Sequence, residues 1–199
     1  MRFSILSVLV VMSCAGMARM ALAGPQRAWA HTSGLIHLEP NGPTGSSDNA
    51  LDRLKIQELM ARWGIAYDEG RGEVIKSLFT DDARFQVTLR GNAPIVSVTG
   101  REQIISNVTG AMNQQGDQRR HAITNTVIQD LTRTRATLIA YAIVVVPDDQ
   151  PTVNSTVVYS ADVEKDAAGV WRFKKLVIGM DAYVGTVPTQ DQTSSGSHH

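Results

Sequence analysis

The sequence predicts an α+β domain: a twisted sheet with helices on one face and a pocket between the two layers. Three observations predict it. Helical periodicity is confined to the first half of the 199-residue chain, and four long strand-like runs fill the second half with no helix between them. The connectors in that second half, TRTR, DDQPTVNS and DAAG, are short, and short connectors make antiparallel neighbours. Helices first and a strand meander afterwards is the α+β order rather than alternating βαβ.

The elements follow in order. A first helix is expected from about Asn49 to Glu69. At about 100° per residue, Ile56, Leu59, Met60, Trp63, Ala66 and Tyr67 share one apolar stripe. Lys55, Glu58, Arg62 and Glu69 form a narrow polar one. Leu54, Ala61 and Ile65 form a second apolar strip, and Asp68 falls on its side, away from the charges. The glycines of EGRGE end this helix, and GEVIKSLFTDD supplies a short second one ending near Phe79, with Asp81-Asp82 as the turn after it. ARFQVTL alternates as a strand, RGNAP turns the chain, and IVSVTG returns it. REQIISNVTGAMNQQ, opened by Gly100, spaces Ile104, Ile105, Val108 and Met112 as a third helix. The four strands are HAITNTVIQDL, ATLIAYAIVVV, TVVYSADVEK and VWRFKKLVIGM.

The ends read differently. Residues 1–30 have the layout of a signal peptide: Arg2, the apolar run ILSVLVVM, then small residues with cleavage patterns ending at Ala23 or Ala30. That run is too short to span a membrane. A lipoprotein attachment at Cys14 is the weaker reading, because the site sits early and lacks the usual leucine. A secreted or periplasmic domain with no membrane contact after processing is therefore expected. Residues 31–48, rich in Gly, Pro and Ser, are expected to be a flexible arm. The domain spans 49–185, and 186–199 is expected to be a disordered tail, its SSGSHH read as part tag.

Composition excludes several classes. The single cysteine, Cys14, lies in the removable segment, so core burial alone must hold the mature domain together. Removing residues 1–30 leaves 16 basic against 19 acidic residues, which favours neither nucleic acid nor an anionic membrane as partner. Of five histidines only His121 lies within the domain, so a zinc site of the usual ligands is not expected. There is no phosphate loop and no GxSxG elbow. Asn107 and Asn154 match the glycosylation pattern.

Acid–base chemistry by one carboxylate and one imidazole remains. His121, Ile123, Asn125 and Val127 share one strand face by period-two alternation, a mostly apolar surface with polar points that suits a small-molecule site. An Asp bonded to a His fixes its tautomer and stabilises the imidazolium. The plain alternatives are a capping or solvated Asp68, a structural His121, Tyr67 as core, and Asn125 as an ordinary edge or bulge residue.

Helix, Tyr67-Asp68, LFTDDARF, the Gly-Arg-Glu helix start, H-x-x-x-N from His121 to Asn125 and the final VWRFKKL occur in one order. Together they resemble the SnoaL-like branch of the nuclear-transport-factor-2-like superfamily over about residues 50–185. The resemblance implies a cone-shaped α+β barrel of cystatin-like type, in which a curved mixed sheet wraps around helices and encloses a pocket. It includes scytalone dehydratase and polyketide cyclases, and several members dimerise through the outer sheet face, so a small-molecule substrate and a homodimer or higher homo-oligomer are expected. It implies His121 as catalytic acid/base, Asp68 as its catalytic partner, and Tyr67, Asn125 and Trp63 as substrate-binding residues. No cofactor and no metal are implied. The second histidine and second tyrosine of scytalone dehydratase are absent where this chain reads AYAIVVV and RFQV, which argues against that substrate. The expected function is a dehydratase-type lyase acting on a small, largely apolar carbonyl or hydroxylated ring. An isomerase or cyclase with the same dyad is one alternative, and a non-catalytic secreted binding or dimerisation module is the other.

Overall fold

In the computed structural model, which describes residues 27–40 and 49–183, the elements are α1 (Trp29–Thr32), α2 (Ala50–Asp68), α3 (Gly72–Ser77), β1 (Phe79–Leu89), β2 (Val96–Thr99), α4 (Arg101–Asn113), β3 (Arg120–Gln129), β4 (Arg135–Val146), β5 (Thr152–Lys165) and β6 (Trp171–Tyr183). The predicted meander is present: β3, β4, β5 and β6 pair antiparallel in sequence order. β1 then adds parallel to β6, and β2 antiparallel to β1, giving a mixed sheet of order β2-β1-β6-β5-β4-β3. Register breaks at Thr124/Val127, Val144/Val145, Thr156/Val157 and Asp162/Val163 each add an unpaired residue. Such bulges sharpen the local twist, and in series they curl the sheet around the helices without closing it.

The main stripe of α2 fills the concave side. Ile56, Leu59, Met60, Trp63 and Ala66 are buried against Phe79, Phe85, Leu138, Tyr159, Phe173 and Leu176. Each such side chain contributes about 1.5–3 kcal/mol by leaving water. The second strip of the helix is not core: Leu54 and Ile65 are 62% and 66% exposed, and Ala61 is also exposed. The sheet curls past only one flank of α2, so the other flank meets solvent. At the start of α2, Asp52 accepts hydrogen bonds from Lys165 (2.7 Å) and the Trp171 indole (2.9 Å), pinning the helix to the β5–β6 hairpin. Asp81 and Asp82 lie inside β1 rather than in a turn, where its pairing with β6 skips from Phe79 to Arg84. There they hold Arg101 and Lys174.

The expected flexible arm is corrected for its first ten residues. α1 and the chain after it dock on the convex face of the sheet, with Trp29 and Ala30 buried against Val158, Leu35 and Ile36. Two distant glycines provide the seat. A Cβ at Gly179 would lie 2.4 Å from Leu35 Cδ2 and 2.7 Å from Trp29, and one at Gly91 would lie 2.3 Å from Ser33 Cβ. The Trp29 indole donates to Asp181 Oδ1 at 2.5 Å, and Thr156 donates to the other oxygen at 2.7 Å. A Gly/Pro/Ser-rich composition does not preclude docking when an aromatic residue finds a fitted hollow. The expected signal peptide up to residue 26, the expected arm from 41 to 48 and the expected tail from 186 lie outside the described residues.

Candidate functional site

The helices and the sheet enclose a cavity of about 470 Å³, within the range of small-molecule sites. Its walls are mostly apolar, from Phe85, Val87, Val108, Val157, Ile178 and Met180. Tyr67, His121, Tyr159, Ser155 and Arg119 are the main polar points.

The dyad is assembled by a close helix–strand approach. Gly64 lies against β3: a Cβ there would meet Ile123 Cδ1 at 2.9 Å and His121 Cβ at 3.3 Å. Asp68 is one helical turn further on and so falls beside His121. Its Oδ1 is 2.5 Å from His121 Nδ1, and its Oδ2 accepts the His121 backbone N–H at 2.8 Å. The two side chains are 7% and 10% exposed. Arg120 pairs with Glu69 at 2.8 Å and Gln118 donates to the Asp68 carbonyl at 3.0 Å, tying the end of α2 to the start of β3. A carboxylate that accepts both hydrogen bonds makes Nδ1 the donor of the ring and leaves Nε2 for a ligand.

Trp63 and Tyr67 also line the cavity. The Tyr67 ring stands edge-on to His121 at 5.3 Å and leans on Trp63 at 5.8 Å. The structure therefore brings together Asp68, His121, Tyr67 and Trp63. Asn125 is excluded: it is exposed, does not line the cavity and has φ of 53°. It sits in the bulge of β3, where pairing jumps from Thr124–Tyr141 to Val127–Ile139. The extra residue inverts the alternation, so that Ile128 is buried while Val127, expected on the His121 face, is 37% exposed.

Tyr159 was missed. It follows Val157 and precedes Ala161 and Val163 at period two, which puts it on the inner face, and it is fully buried. Burial pushes its hydroxyl well above the ordinary tyrosine range, so it stays protonated. Of the two glycosylation patterns, Asn154 is buried in β5, where a glycan has no room, and Asn107 borders the cavity. Among the described residues no three His, Cys, Asp or Glu side chains gather as metal ligands.

Residues 48–177 match the family model of the SnoaL-like domain. The chain belongs to the SnoaL-like domain family. This family falls in the nuclear-transport-factor-2-like superfamily, whose relatives include small-molecule-binding domains, lyases and isomerases. No curated protein matches the sequence. Among solved structures, a Nostoc punctiforme protein of unknown function with a cystatin-like fold is 24% identical, covering 66% of this chain and 92% of its own, with a TM-score of 0.58. The β subunit of a putative aromatic-ring-hydroxylating dioxygenase from Novosphingobium aromaticivorans is 20% identical, covering 67% and 92%, with a TM-score of 0.59. A putative scytalone dehydratase from the same organism is 18% identical, covering 73% and 97%, with a TM-score of 0.57. At these identities the likeness is one of fold. This SnoaL-like domain has the cone-shaped α+β architecture of those neighbours.

Proposed function

We propose that this SnoaL-like domain is a cofactor-independent lyase of the dehydratase type, acting on a small, largely apolar carbonyl compound. One observation carries the reading: the His121 ring in the wall of an apolar cavity, with the nearly buried Asp68 carboxylate behind it accepting from both its Nδ1 and its backbone N–H. His121 Nε2 takes the proton α to the carbonyl, and the Asp68 carboxylate stabilises the imidazolium that forms. As the C–H electrons become the new C=C bond, the β C–O bond breaks. The imidazolium gives its proton to the departing oxygen, which leaves as water. A dry cavity strengthens each of these interactions. If the same proton returns to a different carbon the reaction is an isomerisation, and the geometry serves both.

The test uses α-proton exchange of a bound cyclic ketone, 1-tetralone, in D₂O, followed by ¹H NMR. The chain should accelerate exchange about 10²-fold or more over His121→Ala, the usual scale of general base catalysis. Exchange that persists fully in His121→Ala removes the histidine from the chemistry. A ketone that binds yet exchanges no faster than with that variant leaves a binding protein, the non-catalytic alternative.

A further inference from the structure

One polar group in the cavity wall plays no part in the acid–base reading. Ser155, near the start of β5, shares the inner face of that strand with Val157 and Tyr159 by period-two alternation, and all three line the cavity. It is 7% exposed, and its hydroxyl has no hydrogen-bond partner among the described residues. A hydroxyl withdrawn from water and left unpaired destabilises a fold. One kept at a cavity surface therefore gains when a polar ligand group arrives.

Strand register fixes where that hydroxyl lies relative to His121. His121 of β3 pairs with Val144 of β4, and Val144 pairs in turn with Ser155 of β5. All three line the cavity, so one rung of the sheet reads imidazole, isopropyl, hydroxyl. Neighbouring strands are about 4.8 Å apart, which sets the backbones of His121 and Ser155 about 10 Å from each other along the rung. The neighbouring rung, Ile123, Ala142, Val157 and Met180, is apolar throughout. We propose that Ser155 is a specificity-determining residue, which hydrogen-bonds a hydroxyl at the end of the substrate remote from the carbon that His121 deprotonates. The substrate class is then a two-ring hydroxy ketone, laid across Val144 with its α-carbon at the imidazole and its hydroxyl at Ser155. This deepens the acid–base reading and rests on it for which end of the ligand faces His121. Two fused rings bridge the span once both side chains reach in, and a cavity of about 470 Å³ has room for them. A serine hydroxyl both donates and accepts, so a phenol or an alcohol suits it.

The experiment compares 6-hydroxy-1-tetralone with 1-tetralone by calorimetric titration of the full chain. In the first compound the hydroxyl and the α-carbon sit at opposite ends of the bicycle. The chain should bind it about fivefold more tightly than 1-tetralone, the equivalent of one hydrogen bond. Ser155→Ala should bring the two affinities within about twofold of each other while leaving that for 1-tetralone in place. The variant should also melt no lower than the native chain, since it removes a buried group that has no partner to lose. A preference that survives Ser155→Ala overturns the proposal, as do equal affinities in the native chain or a Tm several degrees lower in the variant. A serine-dependent preference without α-proton exchange retains this site and removes the lyase reading. Exchange of 1-tetralone with no preference for the hydroxyl does the reverse. Binding of neither ketone removes both.

Discussion

Replacing Asp68 by asparagine preserves shape and changes only what the two terminal atoms can do. In the native chain both oxygens accept: one from His121 Nδ1 at 2.5 Å, the other from the His121 backbone N–H at 2.8 Å. An amide has one acceptor and one donor, so whichever way it turns, an NH₂ faces an N–H. One hydrogen bond to a charged acceptor, about 1.5–3 kcal/mol, is lost in a site where the side chains are 7% and 10% exposed. A loss of about 2–3 kcal/mol follows, a Tm lower by about 6–10 °C for a domain of this size. The ring recovers only part of this by moving its proton to Nε2 and accepting from the amide at Nδ1, a neutral hydrogen bond in place of a charge-assisted one. Long-range ¹⁵N–¹H correlation spectra read that directly, with His121 identified by its disappearance in His121→Ala. The native protein should show the Nδ1-bound proton of His121 facing the carboxylate, and Asp68→Asn a His121 ring whose proton has moved to Nε2. Identical histidine patterns and an unchanged Tm in the two proteins would refute the argument that the carboxylate fixes the tautomer.

The other predictions rest on separate features. Gly64→Ala places a methyl 2.9 Å from Ile123 Cδ1 and 3.3 Å from His121 Cβ. It should push β3 away and slow ketone exchange about tenfold with little loss of secondary structure by circular dichroism. Burial opposes ionisation of Asp52, but the hydrogen bonds of Lys165 and Trp171, with the charges of Lys165 and Lys55, outweigh it and hold the carboxyl below its ordinary range. Its folded-state pKa is below the unfolded one, so the contribution is complete above the unfolded value, 3.8, and fades as pH falls below it. Urea titrations at pH 7 and pH 3 should therefore show Asp52→Asn costing about 1–2 kcal/mol at the higher pH and less at the lower. Trp29→Ala should cost about 3 kcal/mol in the same titration, whereas a loose arm would cost nothing. Asn125→Ala should leave 1-tetralone affinity unchanged in calorimetry, because that side chain is outside the cavity.

What the sequence revealed depended on how local each determinant is. The stripe Ile56, Leu59, Met60, Trp63, Ala66 and Tyr67 is a property of one helix, and α2 buries the first five while Tyr67 is half-buried at the cavity. The meeting of Asp68 with His121 was legible because each ends or begins an element, and a helix end and a strand start are where two layers converge. The face of Asn125 was not legible, since a bulge is set by cross-strand pairing with Tyr141 and Ile139 rather than by the run HAITNTVIQ itself. Leu54 and Ile65 read as a second buried strip because periodicity records amphipathicity without saying where the sheet stops. Tyr159 lay in plain alternation with Val157 and Ala161, but nothing local to that strand indicates that its face opens onto a cavity.

The hollows at Gly91 and Gly179 mean that this domain carries its own cover. Shortening the chain to the boundary of its family, at residue 48, strips a tryptophan from its socket and turns a greasy seam and the carboxylate of Asp181 toward water. Such a fragment should keep its cavity yet become sticky on its back. Self-association of the trimmed form would then record the loss of a lid rather than a native partnership.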